Sequence, residues 1–275
     1  MIPASRSLQS VTAVAARLDG ADLDTVLVEA ALQTRVDRKY LLTPELFEEL
    51  VTGLAGTFRV LDIDGRRVFG YESVYFDTPS LDLYRAHRQG RRHRYKARTR
   101  TYVDSDACMF EVKLKGRHGE TVKHRMPYHI SDRRRLNAEA AEFLTQLLKT
   151  EYDATPPALE PAVTTVYSRL TLVDLEAGAR LTCDVDLVCS DGDRQVPGSD
   201  LILVESKCSG SGSSADHLLR QMGVRPISIS KYCIGVALLH RHLPANRWNR
   251  TLRTHFGWAR EMVPSATPAS SSAHA

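Results

Sequence analysis

Residues 91–100, RRHRYKARTR, carry a cation at every even position: Arg92, Arg94, Lys96, Arg98 and Arg100. Side chains of a β-strand alternate between its faces, so a strand here would gather all of them on one side. Two unit charges about 4 Å apart repel by roughly 4 kcal/mol at an effective dielectric near 20. Such a face either splays into solvent or is held by a bound anion. The pattern recurs. RVDRKYLL sets Arg35, Asp37 and Lys39 on one face, MFEVKLKG sets Glu111, Lys113 and Lys115, and TVKHRM sets Lys123 with Arg125. VYSRLTLVD aligns Tyr167, Arg169 and Thr171, ARLTCDVDLV aligns Arg180, Thr182, Asp184 and Asp186, and LILVESKC pairs Glu205 with Lys207. Solvated strand faces usually mix neutral polar residues and set opposite charges across from one another. Here Arg and Lys recur while acids stand singly, and the ligand that suits them is a dense polyanion.

The chemistry open to such a set is phosphoryl transfer, in which a protein supplies position and charge rather than covalent steps. Arg binds phosphate oxygens bidentately and stays charged at any relevant pH, while Lys supplies movable point charges. Other chemistries find little support. No Ser-His-Asp or Cys-His arrangement stands out, and the ten histidines show no H-x-x-x-H or H-E-x-x-H spacing. The glycine-rich SGSGSS at 209–214 lacks the G-K-S/T ending of a P-loop and reads as a flexible loop.

The elements that must position these residues are strands with one apolar and one charged face. Phe110, Val112 and Leu114, for example, oppose Glu111, Lys113 and Lys115. Several such strands closed into a barrel would make a cationic lumen. Three helices carry clear boundary signals. TPELFEELVTGLAG opens with Thr43 as N-cap and Pro44 at its first position, NAEAAEFLTQLLK opens on Asn137, and SSADHLLRQMG stops at Gly223. The fold class expected is α+β, an antiparallel β-barrel tunnel flanked by a few helices. Residues 1–29 read as a loosely attached extension, 30–242 as the tunnel domain and 243–275 as a C-terminal extension. Within that extension, Trp248, Phe256 and Trp258 suit a terminal helix packed on the barrel, with a basic amphipathic surface element as the rival. The tail MVPSATPASSSAHA has the composition of disorder.

The chain has 275 residues and a net charge of only +4, from 37 Lys+Arg against 33 Asp+Glu. The basic runs are therefore local, which favours an anion bound at one place over a general coat of charge. Five cysteines without C-x-x-C spacing argue against a zinc site or a disulfide framework. No apolar run approaches the roughly 20 residues of a transmembrane helix, and VTAVAA is too short for a signal-peptide core. A soluble, cytoplasmic protein is the expectation.

Nine segments in series carry a resemblance: RVDRKYLLTPE, SVYFDTPSLDLYR, RYKARTRTY, FEVKLKG, VKHR, VYSRL, RLTCDVDL, LVESK and SISKYCIG. From about residue 33 to 240 they resemble the VTC (vacuolar transporter chaperone) polyphosphate polymerase domain, within the CYTH-like triphosphate tunnel metalloenzymes. The resemblance implies transfer of the ATP γ-phosphate onto a growing polyphosphate chain inside a tunnel lined by Lys and Arg. It implies Lys39, Arg98, Arg100, Lys113, Arg169 and Lys231 as the catalytic set. Lys96, Lys115, Lys123, Arg125, Tyr167, Arg180 and Lys207 would bind phosphate. Mn²⁺ or Mg²⁺ would sit on Glu205, with Asp37 as a second carboxylate. The opening departs from the wider CYTH pattern E-x-E-x-K, because Arg35, Asp37 and Lys39 stand in its place. Partners implied are ATP and polyphosphate, with no nucleic acid and no transmembrane segment. The alternatives are a triphosphate hydrolase of the same fold, a polyphosphate-binding module without turnover and, ranked last, a nucleic-acid binder suggested by Tyr71, Tyr75, Tyr95 and Tyr102.

Overall fold

The computed structural model describes residues 4–29, 36–116, 120–210 and 212–261. Arg35 and the tail beyond residue 261 lie outside the described residues. The first half holds α1 (Arg6–Arg17), β1 (Gly20–Ala21), α2 (Leu23–Glu29), β2 (Val36–Leu42), α3 (Pro44–Gly53), β3 (Arg59–Leu61), β4 (Val68–Asp77) and α4 (Asp82–Gln89). The middle holds β5 (Tyr95–Tyr102), β6 (Ala107–Lys115), β7 (Thr121–Tyr128), α5 (Ala138–Tyr152), β8 (Glu160–Asp174) and β9 (Ala179–Ser190). Then come β10 (Gln195–Pro197), β11 (Ile202–Cys208), α6 (Ser214–Gln221), α7 (Lys231–Leu239) and α8 (Asn249–Phe256).

The main strands run in the order β2-β11-β9-β8-β4-β5-β6-β7, each antiparallel to its neighbours. β2 and β6 are six places apart in that order, yet Lys113 Nζ of β6 lies 3.6 Å from Asp37 Oδ2 of β2. The sheet therefore curls until its ends approach. It is a half-barrel: among the described residues no ladder joins β2 to β7, and side chains span the gap. The α+β class and the curled antiparallel sheet agree with the sequence reading.

Alternation decides what each face does. On the convex side Tyr40, Leu42, Leu170, Leu172, Leu181 and Val204 pack beneath α1, α3 and α6. Val74, Ala97, Phe110, Val112 and Leu114 pack against Ala140, Leu144 and Leu148 of α5. The caps form as their sequences suggest. The Thr43 hydroxyl accepts the Leu46 N–H at 3.3 Å, the Asn137 carbonyl oxygen accepts that of Ala140 at 2.9 Å, and Ser213 forms a capping box with Asp216. The N-terminal extension is not loosely attached. Ser5 caps α1, and Val11 and Val14, at 0% and 1% exposure, belong to the same core as α3.

α7 lies on the other, concave side. It is apolar nearly all round, and a helix of that kind must be buried. It packs on Tyr75, Val163 and Leu203 and fills one end of the half-barrel. The approach is close: a Cβ at Gly235 would stand 2.8 Å from Val163 Cγ1. Asp77, wholly buried at the end of β4, ties this end together. Its carboxylate accepts the N–H groups of Thr78, Leu83 and Tyr84, at the start of α4, and the Tyr232 hydroxyl of α7. Trp248, Leu252 and Trp258 are buried against α7, so the C-terminal segment packs onto the domain rather than presenting an amphipathic face. No helix among the described residues is long and apolar enough to cross a membrane.

Candidate active site

The concave face encloses a cavity of about 580 Å³. β2 brings Asp37 and Lys39 to it, β5 brings Lys96, Arg98 and Arg100, β6 brings Lys113 and Lys115, and β7 brings Lys123 and Arg125. β8 adds Tyr167 and Arg169, β9 adds Arg180, β11 adds Glu205 and Lys207, and Lys231 enters from the first turn of α7. Every site residue read from the sequence thus reaches one cavity. Alternation is the cause: along β5, Tyr95, Ala97, Thr99 and Thr101 are buried while Lys96, Arg98 and Arg100 stay partly open.

Two expectations need correction. Arg92 does not line the lumen, because β5 begins only at Tyr95; Arg94 does so from the preceding loop. Asp186 does not follow Asp184 inward. β9 holds one extra residue between Val185 and Val188, opposite Ser168 and Val166, and Asp186 takes a left-handed φ of 54°. This bulge re-aims its carboxylate, which accepts the Ser5 hydroxyl instead.

Among the described residues, fourteen Lys and Arg line the cavity against three Asp and Glu. Lys96, Lys113 and Lys123 stand directly opposite one another across β5, β6 and β7. Like charges so placed are destabilising without a counter-ion. Burial pushes Lys96 and Lys123 down to about 8, lowers Lys113 and takes Lys207 to about 7. For Lys96, neighbouring Lys113, Lys39 and Arg94 add to the depression while Cys233 opposes it. For Lys123, Glu111 opposes it while Arg100 and Arg98 add to it.

A pH prediction follows from these two lysines. In the unfolded chain they titrate near the ordinary 10.5, so between about 8 and 10.5 the unfolded state holds more protons and ligand-free stability rises with pH. A bound polyanion raises both groups again. Binding should therefore take up protons near pH 8, and affinity should fall as pH rises from 7 to 9. Calorimetry in two buffers of different ionisation enthalpy reads the sign directly; net proton release would contradict it.

The carboxylates missed as site residues matter as much as the cations. Glu111 is 2% exposed. Its Oε2 accepts Arg98 Nε at 2.9 Å and Nη2 at 2.7 Å, Arg100 Nε lies at 3.8 Å, and Lys123 reaches Oε1. Arg98 Nη1 also donates to the Tyr75 hydroxyl at 2.7 Å, which fixes the plane of the guanidinium. Asp184 takes Arg169 in a fork, Nε to Oδ1 at 2.6 Å and Nη2 to Oδ2 at 2.8 Å, and also pairs with Lys231. Burial alone would raise both carboxyls, but Arg98, Arg100 and Lys123 hold Glu111, and Arg169 and Lys231 hold Asp184, well below the usual carboxylate range. Register was the missing signal, since Arg98 and Glu111, like Arg169 and Asp184, are direct cross-strand partners.

Tyrosines floor this region. Tyr71 stacks on Tyr167 at 5.4 Å, Arg169 lies 4.9 Å over the Tyr71 ring, and Lys231 lies 4.2 Å over that of Tyr167. The Tyr167 hydroxyl is buried with no hydrogen-bond partner among the described residues. Burial would raise it, yet Arg100, Arg169 and Lys231 together lower its pKa. An anion arriving here meets oriented cations and a free phenol.

For a metal, no group of three or more His, Cys, Asp or Glu among the described residues could form an all-protein cage. Mg²⁺-type sites need less, because one or two carboxylates share the ion with substrate phosphates and water. Glu205 fits that role. Burial opposes its ionisation, but Lys207, Lys39 and Lys113 hold it well below its ordinary value. Its nearest ion-pair partners, Lys39 and Lys207, both stand at 3.9 Å, so its oxygens remain open to the cavity. Asp37 lines the same cavity beside Lys113.

A family model described as the VTC domain matches residues 34–240. No curated protein matches the sequence. Among solved structures the chain is similar to a candidate adenylyl cyclase from Hippeastrum, described as having a dominant triphosphatase activity. The identity is 14% and the TM-score 0.45, over 78% of this chain and 100% of that one. It is also similar to a candidate adenylate cyclase from Vibrio parahaemolyticus, at 14% identity and a TM-score of 0.42, over 74% of this chain and 98% of that one.

Proposed function

We propose, from the premise that this chain belongs to the VTC domain family, that it is a polyphosphate polymerase moving the γ-phosphate of ATP onto a polyphosphate chain. The coarser reading is a phosphotransferase or triphosphatase acting in a polyphosphate-related tunnel fold. The observation that carries the finer one is the balance of the wall among the described residues, fourteen cations, eleven of them on strands, against three carboxylates. A hydrolase needs carboxylates free to place and activate a water. Here Glu111 is occupied by Arg98, Arg100 and Lys123 and Asp37 lies beside Lys113, which leaves Glu205, the carboxylate assigned to the metal, as the open one of the three.

The attacking group is a terminal phosphate oxygen of the acceptor chain, ionised at neutral pH, so no strong general base is required. Its bond to the γ-phosphorus forms as the bond to the bridging oxygen breaks, and ADP leaves with that electron pair. Arg98 and Arg169, pre-oriented by Glu111 and Asp184, offer their remaining N–H groups to equatorial phosphate oxygens. Arg100, Lys39, Lys113 and Lys231 neutralise charge around the transferred group. Lys96, Lys115, Lys123, Arg125, Arg180 and Lys207 hold the phosphates on either side. Mn²⁺ or Mg²⁺ held by Glu205, with Asp37 near, would offset charge gathering on the leaving phosphate.

The test is incubation with ATP and Mn²⁺ or Mg²⁺, with products resolved by chain length. A ladder of polyphosphate with little early orthophosphate is expected. Orthophosphate in proportion to ADP with no ladder would assign the tunnel to hydrolysis, and intact ATP beside tight polyphosphate binding would assign it to storage or sensing.

A further inference from the structure

One cation of the cavity wall comes from outside the family match. The match ends at residue 240, yet Arg247 lines the cavity. Its placement is built rather than incidental. Trp248 is 5% exposed and lies 5.7 Å from the Tyr84 ring, Leu252 is fully buried, and Trp258 Nε1 donates to the Ala237 carbonyl at 2.8 Å. Anchored in this way, the exposed Arg247 sends Nη1 to the His87 carbonyl at 3.4 Å. Arg94 reaches the same end from the loop before β5, donating to the Gly90 carbonyl at 3.4 Å. Among the described residues neither guanidinium is paired with a carboxylate; both lean on backbone carbonyls.

Behind them stands His87. Its Nε2 is 3.0 Å from the Tyr95 carbonyl and its Nδ1 is 3.3 Å from Lys96 Nζ. Burial, with Lys96 adding to it, pushes the imidazole down to about 2, so it stays neutral. Nε2 then donates to the carbonyl, and Nδ1 is left to accept from Lys96. Arg247 and Arg94 line the same cavity as Lys96, Arg247 from an exposed position against the helix that holds His87 and Arg94 from two residues before Lys96 in the chain. The three carboxylates that line the cavity among the described residues, Glu205, Asp37 and Glu111, are paired with other cations of the strands and not with Arg94 or Arg247.

We propose that Arg94 and Arg247 form an outer subsite for the distal part of an inorganic polyphosphate chain, supplied in part by the C-terminal segment that follows the family domain. It rests on the polyphosphate reading above. The subsite engages only a chain that already fills the inner cations, so its contribution depends on chain length.

The probes are sodium tripolyphosphate and a long-chain inorganic polyphosphate, titrated calorimetrically against the full chain and against Arg94→Ala, Arg247→Ala and Arg247→Lys. Each alanine variant is expected to weaken the long chain by about tenfold, as for one lost charge-assisted contact, and tripolyphosphate by less than about twofold. The slope of affinity against salt for the long chain should also fall, as it does when a phosphate contact is removed. Arg247→Lys should recover most of the loss. Equal losses for both lengths, or no loss for either, would overturn the outer subsite while leaving the polyphosphate reading intact. If the unaltered protein bound neither length, the polyphosphate reading itself would fail and the subsite with it.

Discussion

Glu205→Gln is expected to abolish metal-dependent turnover and to leave polyphosphate affinity intact or higher. The substitution keeps the shape of the side chain and removes one negative charge from a wall where Lys39 and Lys207 flank it at 3.9 Å. A carboxylate that shares a divalent ion with phosphate oxygens cannot be replaced by an amide, so the rate should fall by at least about a thousandfold, roughly 4 kcal/mol of transition-state stabilisation. Binding of polyphosphate without metal depends on the cations alone and gains from the lost repulsion. Full metal-dependent activity in this variant would move the metal to Asp37 or Glu111.

Asp184→Asn should have the largest effect on stability. Asp184 is 3% exposed and is the counter-ion of both Arg169 and Lys231, whose side chains are each 9% exposed. Removing one partner of such a buried set leaves uncompensated charge and costs about 3 to 5 kcal/mol. The tunnel's own ligand should return much of this, because a phosphate placed there supplies the missing negative charge. Thermal unfolding with and without tripolyphosphate reads both effects. The variant should melt well below the wild type and gain more from the ligand. A variant as stable as the wild type, or one with a smaller gain, would show that Asp184 is not the resident substitute for phosphate.

The residues of the wall were legible because strand alternation is a local property. Lys96, Arg98 and Arg100 share a face in any strand that contains them, and the same holds for Glu205 with Lys207. The caps Thr43 and Asn137 were legible for the same reason, since each acts within three residues of itself. What depended on register or packing was not. Glu111 and Asp184 look like solitary acids until the ladder sets them across from Arg98 and Arg169. A bulge, which one sequence does not announce, separates Asp186 from Asp184. The sequence marks Lys231 but not the helix it opens, because α7 fills the concave end only through Gly235 lying against β8 and β9. His87 and Arg247 reach the cavity only through the packing of α4 and the C-terminal segment, at 160 residues' separation.

The central claim is that this tunnel transfers phosphate to phosphate. The most direct measurement is a time course with γ-labelled ATP, a short polyphosphate primer and Mn²⁺, scoring label in chains and in orthophosphate against ADP formed. Label appearing in chains of increasing length, with one chain-bound phosphate for each ADP at early times, is the predicted result. Label released as orthophosphate one for one with ADP, with the primer unchanged in length, would contradict it.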